Sequence, residues 1–147
     1  MTTVKNCLDQ KSSPTELVSV EPDDKVVSAL QLMRSKRVRA VLVMQDGQLR
    51  GIVTQGDCAI KVLLPGLDAK QVAVKEVMTA QPMTVKLSDP LEACMGLMAA
   101  RNFRHLPVLD AGRVVGVVSI GDVVKDNIRQ MGQQINFQET YIKGHGA

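Results

Sequence analysis

The 147-residue chain has no tryptophan, two phenylalanines and one tyrosine. With so few aromatic rings there is no platform on which unpaired bases stack, which counts against single-stranded nucleic-acid binding. The core must instead be built from Val, Leu, Ile, Met and Ala, residues that suit layered strands and helices. Cysteine is scarce as well: Cys7, Cys58 and Cys94 are odd in number and lack CxxC spacing, so neither a disulfide framework nor a zinc site is indicated. The two histidines, His105 and His145, fall in no cluster of metal-ligand spacing. Long apolar runs are missing, and MTTVKNCLDQK at the start holds no apolar leader region. A soluble cytoplasmic protein in a reducing compartment is the expectation, with no membrane and no metal. Charge of one sign is not in excess either: 18 basic and 15 acidic residues leave +3, short of the basic stripe of a duplex binder. No nucleic-acid partner is expected, whereas an anionic small molecule suits that balance.

What the chain does have is a repeat. Lys36 to Asp57, KRVRAVLVMQDGQLRGIVTQGD, aligns without a gap on Arg101 to Asp122, RNFRHLPVLDAGRVVGVVSIGD, at an offset of 65. Leu32/Leu97, Met33/Met98, Arg39/Arg104, Val43/Val108, Gly47/Gly112, Gly51/Gly116, Val53/Val118, Gly56/Gly121 and Asp57/Asp122 are identical, and Thr54/Ser119 share a hydroxyl. A unit of this size is unlikely to bury its apolar face alone, so the two copies are expected to pack on each other as one module. Val4 to Gln10, VKNCLDQ, resembles Val74 to Ala80, VKEVMTA, at an offset of 70. A similar lead-in therefore introduces each copy, and the first carries an insertion around Ser12 to Glu16. The expected organisation is repeat 1 over residues 1–66, repeat 2 over 67–126 and a helical tail over 127–147.

Within each copy the pattern reads strand, helix, strand, strand, helix. Short strands are predicted at Leu17 to Val20 and Met83 to Leu87. The first helices present Val26, Ala29, Leu30 and Met33, and Leu91, Cys94, Met95 and Met98, as core faces at i, i+3, i+4, i+7 spacing. Cys94, matched to Ala29, is then a small buried hydrophobe. Asp89 is the predicted N-cap, with Pro90 at N1 and Glu92 at N3, and Asp24 is its twin. Hairpins follow, Val41 to Met44 with Leu49 to Thr54 and Leu106 to Leu109 with Val114 to Ser119, turning at Gly47 and Gly112. In the final helix Val124, Ile128, Met131, Ile135 and Ile142 form a partial apolar stripe, broken at Gly132 and Asn136. That stripe docks either on its own module or on a partner subunit.

The polar residues common to both copies are the candidates for chemistry. Thr54-x-x-Asp57 and Ser119-x-x-Asp122 fit a capping box. They also fit a carboxylate that accepts hydrogen bonds from the vicinal hydroxyls of a ribose, and the two roles are compatible. Arg104-His105 sits at the start of a strand in the same unit, either as a solvated loop pair or as a ligand for phosphate. No nucleophile–base pair accompanies them, so catalysis is not expected.

VKEVMT at Val74 to Thr79, FRHLPVLD at Phe103 to Asp110, GVVSIGDVV at Gly116 to Val124 and GIVTQGD at Gly51 to Asp57 resemble the motifs of the cystathionine-β-synthase (CBS) domain family, over roughly Val4 to Lys125. The resemblance is to the stand-alone tandem pairs, or Bateman modules, of signal-transduction type. It implies an α/β (α+β) fold of two βαββα repeats with pseudo-twofold symmetry, two clefts between them and a disc-like homodimer. It also implies a non-catalytic sensor that binds an adenine nucleotide (AMP, ATP or NAD(H)), needs no obligatory cofactor and conveys occupancy to an unidentified regulated protein. In one cleft Ser119 and Asp122 would hold ribose, Arg104 and His105 would meet phosphate, and Leu17, Val18, Val38 and Ala40 would wall the base. In the other the roles would fall to Thr54 and Asp57, to Arg39, and to Met83, Phe103 and Leu106. The first repeat has Ala40 where the second has His105, which makes the Ser119/Asp122 cleft the better AMP-type site. The competing expectation is a structural or protein-interaction dimer with degenerate clefts.

Overall fold

Each half is organised around a hairpin whose turn needs two residues with positive φ. In the computed structural model, which describes residues 2–11 and 17–132, β2 (Ala40–Gln45) pairs antiparallel with β3 (Gln48–Thr54). Asp46 (φ 53°) and Gly47 (φ 75°) make the turn. The second half repeats this with β6 (His105–Asp110), β7 (Arg113–Ser119), Ala111 (φ 51°) and Gly112 (φ 81°). Both turns have the primed geometry that matches strand twist. A two-residue strand lies parallel to each hairpin, β1 (Ser19–Val20) on β2 and β5 (Val85–Lys86) on β6. These are shorter than the predicted strands.

The helices α2 (Val26–Lys36) and α4 (Leu91–Arg101) bury Val26, Ala29, Met33 and their twins Leu91, Cys94, Met98. They stop at Arg37 and Asn102, which hold the same left-handed conformation. Met95 departs from the predicted core face, with 38% of its surface exposed. The predicted cap needs correction too. Pro90 is the N-cap residue and makes no side-chain cap bond, and Asp89 instead accepts the Lys86 N–H on Oδ2 at 2.8 Å. Asp24 does the same for Glu21 at 2.8 Å, so the twins brace the turns ahead of the helices.

The helix N-termini are satisfied from elsewhere in the chain. The Leu91 N–H donates to the Thr2 carbonyl and the Val26 N–H to the Val72 carbonyl, both at 2.9 Å. Behind this lies an exchange: each lead-in docks on the repeat that it does not introduce. Helix α1 (Val4–Asp9) places Val4, Cys7 and Leu8 in the core of the second repeat, while Val74 and Val77, around a 3₁₀ turn at Val74–Glu76, enter that of the first. The contacts are duplicated bond for bond. The Val4 N–H donates to the Asp89 carbonyl (2.9 Å) as Val74 does to Asp24 (2.7 Å), and Lys5 to Leu87 (3.0 Å) as Lys75 does to Pro22 (2.9 Å). Leu8 lies on Gly116 and Met78 on Gly51, positions where a Cβ would intrude on the crossing segment. Val4 and Val74 have no exposed surface, and burying a valine fully is worth about 1.5–3 kcal/mol. β4 (Thr79–Ala80) then joins the edge of β3, so the first sheet has four strands and the second three.

The two sheets meet through a third apolar cluster, Leu42, Ile52 and Val114, with Ala40, Leu49 and Val117 against it. The second helices differ. α3 (Gln55–Cys58) continues as a π-helical turn over Ala59–Leu63, whereas α5 (Ile120–Gln130) is regular. α5 turns Val123 and Asp126 inward and leaves Val124, Ile128 and Met131, the described part of the predicted stripe, about half exposed. Ile135, Asn136, Ile142, His145 and the insertion at 12–16 lie outside the described residues. Among the described residues no helix is long and apolar enough to cross a membrane.

Candidate functional site

Thr54 and Ser119 are the last residues of β3 and β7, and a helix begins directly after each. Their hydroxyls accept the Asp57 and Asp122 N–H groups at 3.1 and 3.2 Å, while the two carboxylates reach back to the Thr54 and Ser119 N–H groups at 3.0 and 2.8 Å. The capping box is thus formed twice, and it fixes each carboxylate at the mouth of a helix N-terminus. Arg39 and Arg104 sit beside these mouths, since their carbonyls accept the first helical N–H groups, Gln55 at 3.0 Å and Ile120 at 2.9 Å.

The surroundings of the two aspartates diverge. Across the hairpin, Ser119 faces His105 whereas Thr54 faces Ala40. The half-buried His105 imidazole is held below its ordinary pKa first by burial; Asp122 opposes this, and Lys11, Arg39 and Arg104 add to it. Three cations and one carboxylate therefore lie within electrostatic range of one imidazole. Arg39, expected on the Thr54/Asp57 side, also acts on the residue at the heart of the other.

Lys11 was not among the residues that the sequence singled out. Its ammonium lies 2.9 Å from Asp122 Oδ2, the oxygen that also accepts the Ser119 N–H, and donates to the Val117 carbonyl at 2.6 Å. The signal for it is the exchange of lead-ins, which no local pattern encodes. At the first aspartate Lys61, one turn along the same helix, stands 3.5 Å from Asp57 Oδ1 and donates to the Val77 carbonyl at 2.9 Å.

The expected base walls fare unevenly. Leu106 is fully buried in the core of the second repeat and walls no cleft, because a side chain with no accessible surface cannot touch a ligand. Phe103 leans on that same core, and Val18 and Val38 lean on the core of the first repeat. Ala40 packs in the cluster between the sheets, and Leu17 and Met83 each expose 38% of their surface. A shallow open groove of about 500 Å³, lined by Thr2, Asn6, Asp9, Gln10 and Gln130, contains none of the candidate residues. The cysteines are all buried, and burial raises each thiol pKa, that of Cys94 to about 11, so none is an activated nucleophile.

A helix mouth with arginines, a lysine and an imidazole around one carboxylate can take an anion and a hydroxylated sugar together. Comparison with known proteins gives this arrangement a context. The family model described as the CBS domain matches residues 13–63 and 74–127. The CBS domain-containing protein YhcV of Bacillus subtilis (strain 168) is 32% identical over 120 residues, 82% of this chain and 83% of its own. The solved structure of a candidate signal-transduction protein with CBS domains from Burkholderia ambifaria MC40-6 is 40% identical, with a TM-score of 0.85 over 87% of this chain and 95% of that one. A CBS domain pair solved with 5′-methylthioadenosine and S-adenosyl-L-methionine shares the fold at 24% identity, TM-score 0.74, over 85% and 94% of the two chains.

Proposed function

The chain belongs to the CBS domain family, as a tandem pair, and from that premise we propose that it is a non-catalytic regulatory module that binds an adenine nucleotide on the Ser119/Asp122 side. AMP, ATP and NAD(H) are the candidate ligands. The observation that carries this reading is the cluster at the N-terminus of α5, where Lys11 stands 2.9 Å from Asp122, His105 lies across the hairpin from Ser119 and the Arg104 carbonyl accepts the Ile120 N–H. Asp122 receives the ribose hydroxyls and the cations receive the phosphate, while Leu17, Val18, Val38 and Ala40 supply apolar surface for the base. The adenosine-type ligands of the 24%-identical fold neighbour accord with an adenine base, and say nothing of phosphate.

Occupancy is conveyed through a homodimer to a partner protein. Supporting that step are the apolar residues left outward on the second helices, Val124, Ile128 and Met131 at 49–50% exposure and Ile60, Leu63 and Leu64 at 63–77%. A ligand shifts such an assembly only by its affinity difference between two arrangements.

Calorimetry with AMP, ATP and NADH tests the site. Asp122→Ala removes charge-assisted hydrogen bonds worth about 1.5–3 kcal/mol, roughly a 10- to 100-fold rise in Kd. Unchanged affinity takes Asp122 out of the site. The second reading, a structural dimer with degenerate clefts, is favoured by one observation: Lys11 already sits on Asp122. It is decided by melting, because ligand at 100 times Kd stabilises a true site by about 2.7 kcal/mol. No shift with any adenine ligand leaves only the scaffold.

A further inference from the structure

Lys11 occupies one oxygen of the carboxylate that a ligand of Asp122 has to share. It comes from neither repeat hairpin but from the crossing segment, and its side chain is 33% exposed while that of Asp122 is 14% exposed. Resting on the nucleotide reading above, we infer that Lys11 is the residue by which the Asp122 site selects a phosphorylated nucleoside over an uncharged one.

The physical reason lies in what happens to the ammonium when sugar hydroxyls arrive. A ribose whose two vicinal hydroxyls span both oxygens of Asp122 competes with Lys11 for Oδ2. An uncharged nucleoside breaks the ion pair and gives the ammonium no new anion. A ligand that carries a phosphate offers one, within the sweep of a flexible four-carbon side chain and beside Arg104 and Arg39. The same contact that penalises the neutral ligand is thus replaced, not lost, when the ligand is anionic. The surrounding charge acts in the same direction, with Lys11, Arg39 and Arg104 set against the single carboxylate of Asp122.

This device is confined to one aspartate. In the segment that crosses to the first repeat, the position matching Lys11 at the offset of 70 is the uncharged Gln81. Asp57 has Lys61 instead, fixed four residues along its own helix and tied to the Val77 carbonyl.

The test is calorimetry of the full chain with AMP and with adenosine, comparing wild type with Lys11→Met, whose stem matches lysine in length. Loss of a partly exposed ion pair predicts adenosine binding about fivefold tighter, while AMP binding stays within about twofold because the pair it breaks in wild type is replaced by one to phosphate, so the AMP-to-adenosine preference falls about fivefold. An unchanged AMP-to-adenosine preference in Lys11→Met, with AMP binding still weakened about 10-fold or more by Asp122→Ala, overturns the role of Lys11 and leaves the nucleotide site standing. Absence of AMP binding to wild type, or AMP binding indifferent to Asp122→Ala, overturns the site and the selectivity together. Salt gives a second readout on the unmutated protein. Raising ionic strength from about 0.05 to about 0.5 M screens the Lys11–Asp122 pair, so adenosine should bind more tightly while AMP binds more weakly. Adenosine affinity that stays flat or falls with salt overturns the inference.

Discussion

The first repeat is closed by residues that follow it, Val72 to Ala80, and the second by residues 2–11, which precede everything else in the fold. The closures match in backbone: the same carbonyls receive the same N–H groups, and an aliphatic side chain lies over the same glycine. They differ in the side chains that they bring. One delivers Lys11 to Asp122; the other leaves Asp57 to a lysine of its own helix. A duplicated scaffold can therefore present two unlike binding surfaces while keeping the hydrogen bonds by which each lead-in enters the other repeat.

The strongest way to break the comparison is at the glycines beneath the crossing segments. A Cβ on Gly51 would come within 2.7 Å of the Thr79 carbonyl oxygen and of Met78 Sδ, so β4 itself has to move. Gly51→Ala should cost about 2–3 kcal/mol in a denaturant melt, as overpacking against backbone does. Gly116→Ala meets only the Leu8 methyls, at 3.0 and 3.1 Å, and should cost less than about 1 kcal/mol because a side-chain end can turn aside. Equal losses would mean that the closures are equally rigid.

The aspartates come next. Asp122→Ala removes a cap and the partner of Lys11 and should destabilise by about 1.5–2 kcal/mol, against about 1 kcal/mol for Asp57→Ala, both read from chemical denaturation. Matching values would place the asymmetry in ligand binding alone. Where the two halves are alike, the effects should be alike: Asp24→Ala and Asp89→Ala each lose one turn-bracing bond of 2.8 Å, about 1 kcal/mol, and should agree within about 0.5 kcal/mol.

The smallest effect is one of pH. Burial and nearby cations hold His105 below the ordinary imidazole value of about 6.5, so in the interval between the two values the unfolded chain takes up a proton that the folded chain refuses. Stability is then full above about pH 6.5 and declines as the pH falls towards the folded value. His105→Gln should flatten that decline in melts between about pH 7.5 and 5.5. A slope unaffected by the substitution would assign it to other groups.

Much of this was legible in the sequence because it is local. The hairpin turns follow from Asp46-Gly47 and Ala111-Gly112, the core faces from the spacing of Val26, Ala29 and Met33, and the paired capping boxes from Thr54-x-x-Asp57 and Ser119-x-x-Asp122. What escaped depends on where distant segments dock. The offset of 70 shows that the lead-ins are alike but not that they trade places, so nothing local connects Lys11 with Asp122. The local pattern points to Asp89 as a cap because the carbonyl of Thr2, which serves Leu91, lies far away in the chain. Only the resemblance puts Leu106 on a cleft wall, since strand alternation tells one face from the other but not which face meets the core.

The exchange of lead-ins also sets an order of assembly. Everything the first repeat needs, residues 17–80, is contiguous, so its contacts close over short loops and form early as the chain is synthesised. Residues 2–11 leave the ribosome before any of the chain that receives them, and must wait for β7 and α5 to appear before they can settle. The segment that supplies Lys11 is thus made before its receiving site and seated after it, and a chain halted before α5 would hold a finished first repeat and a lead-in with nowhere to go.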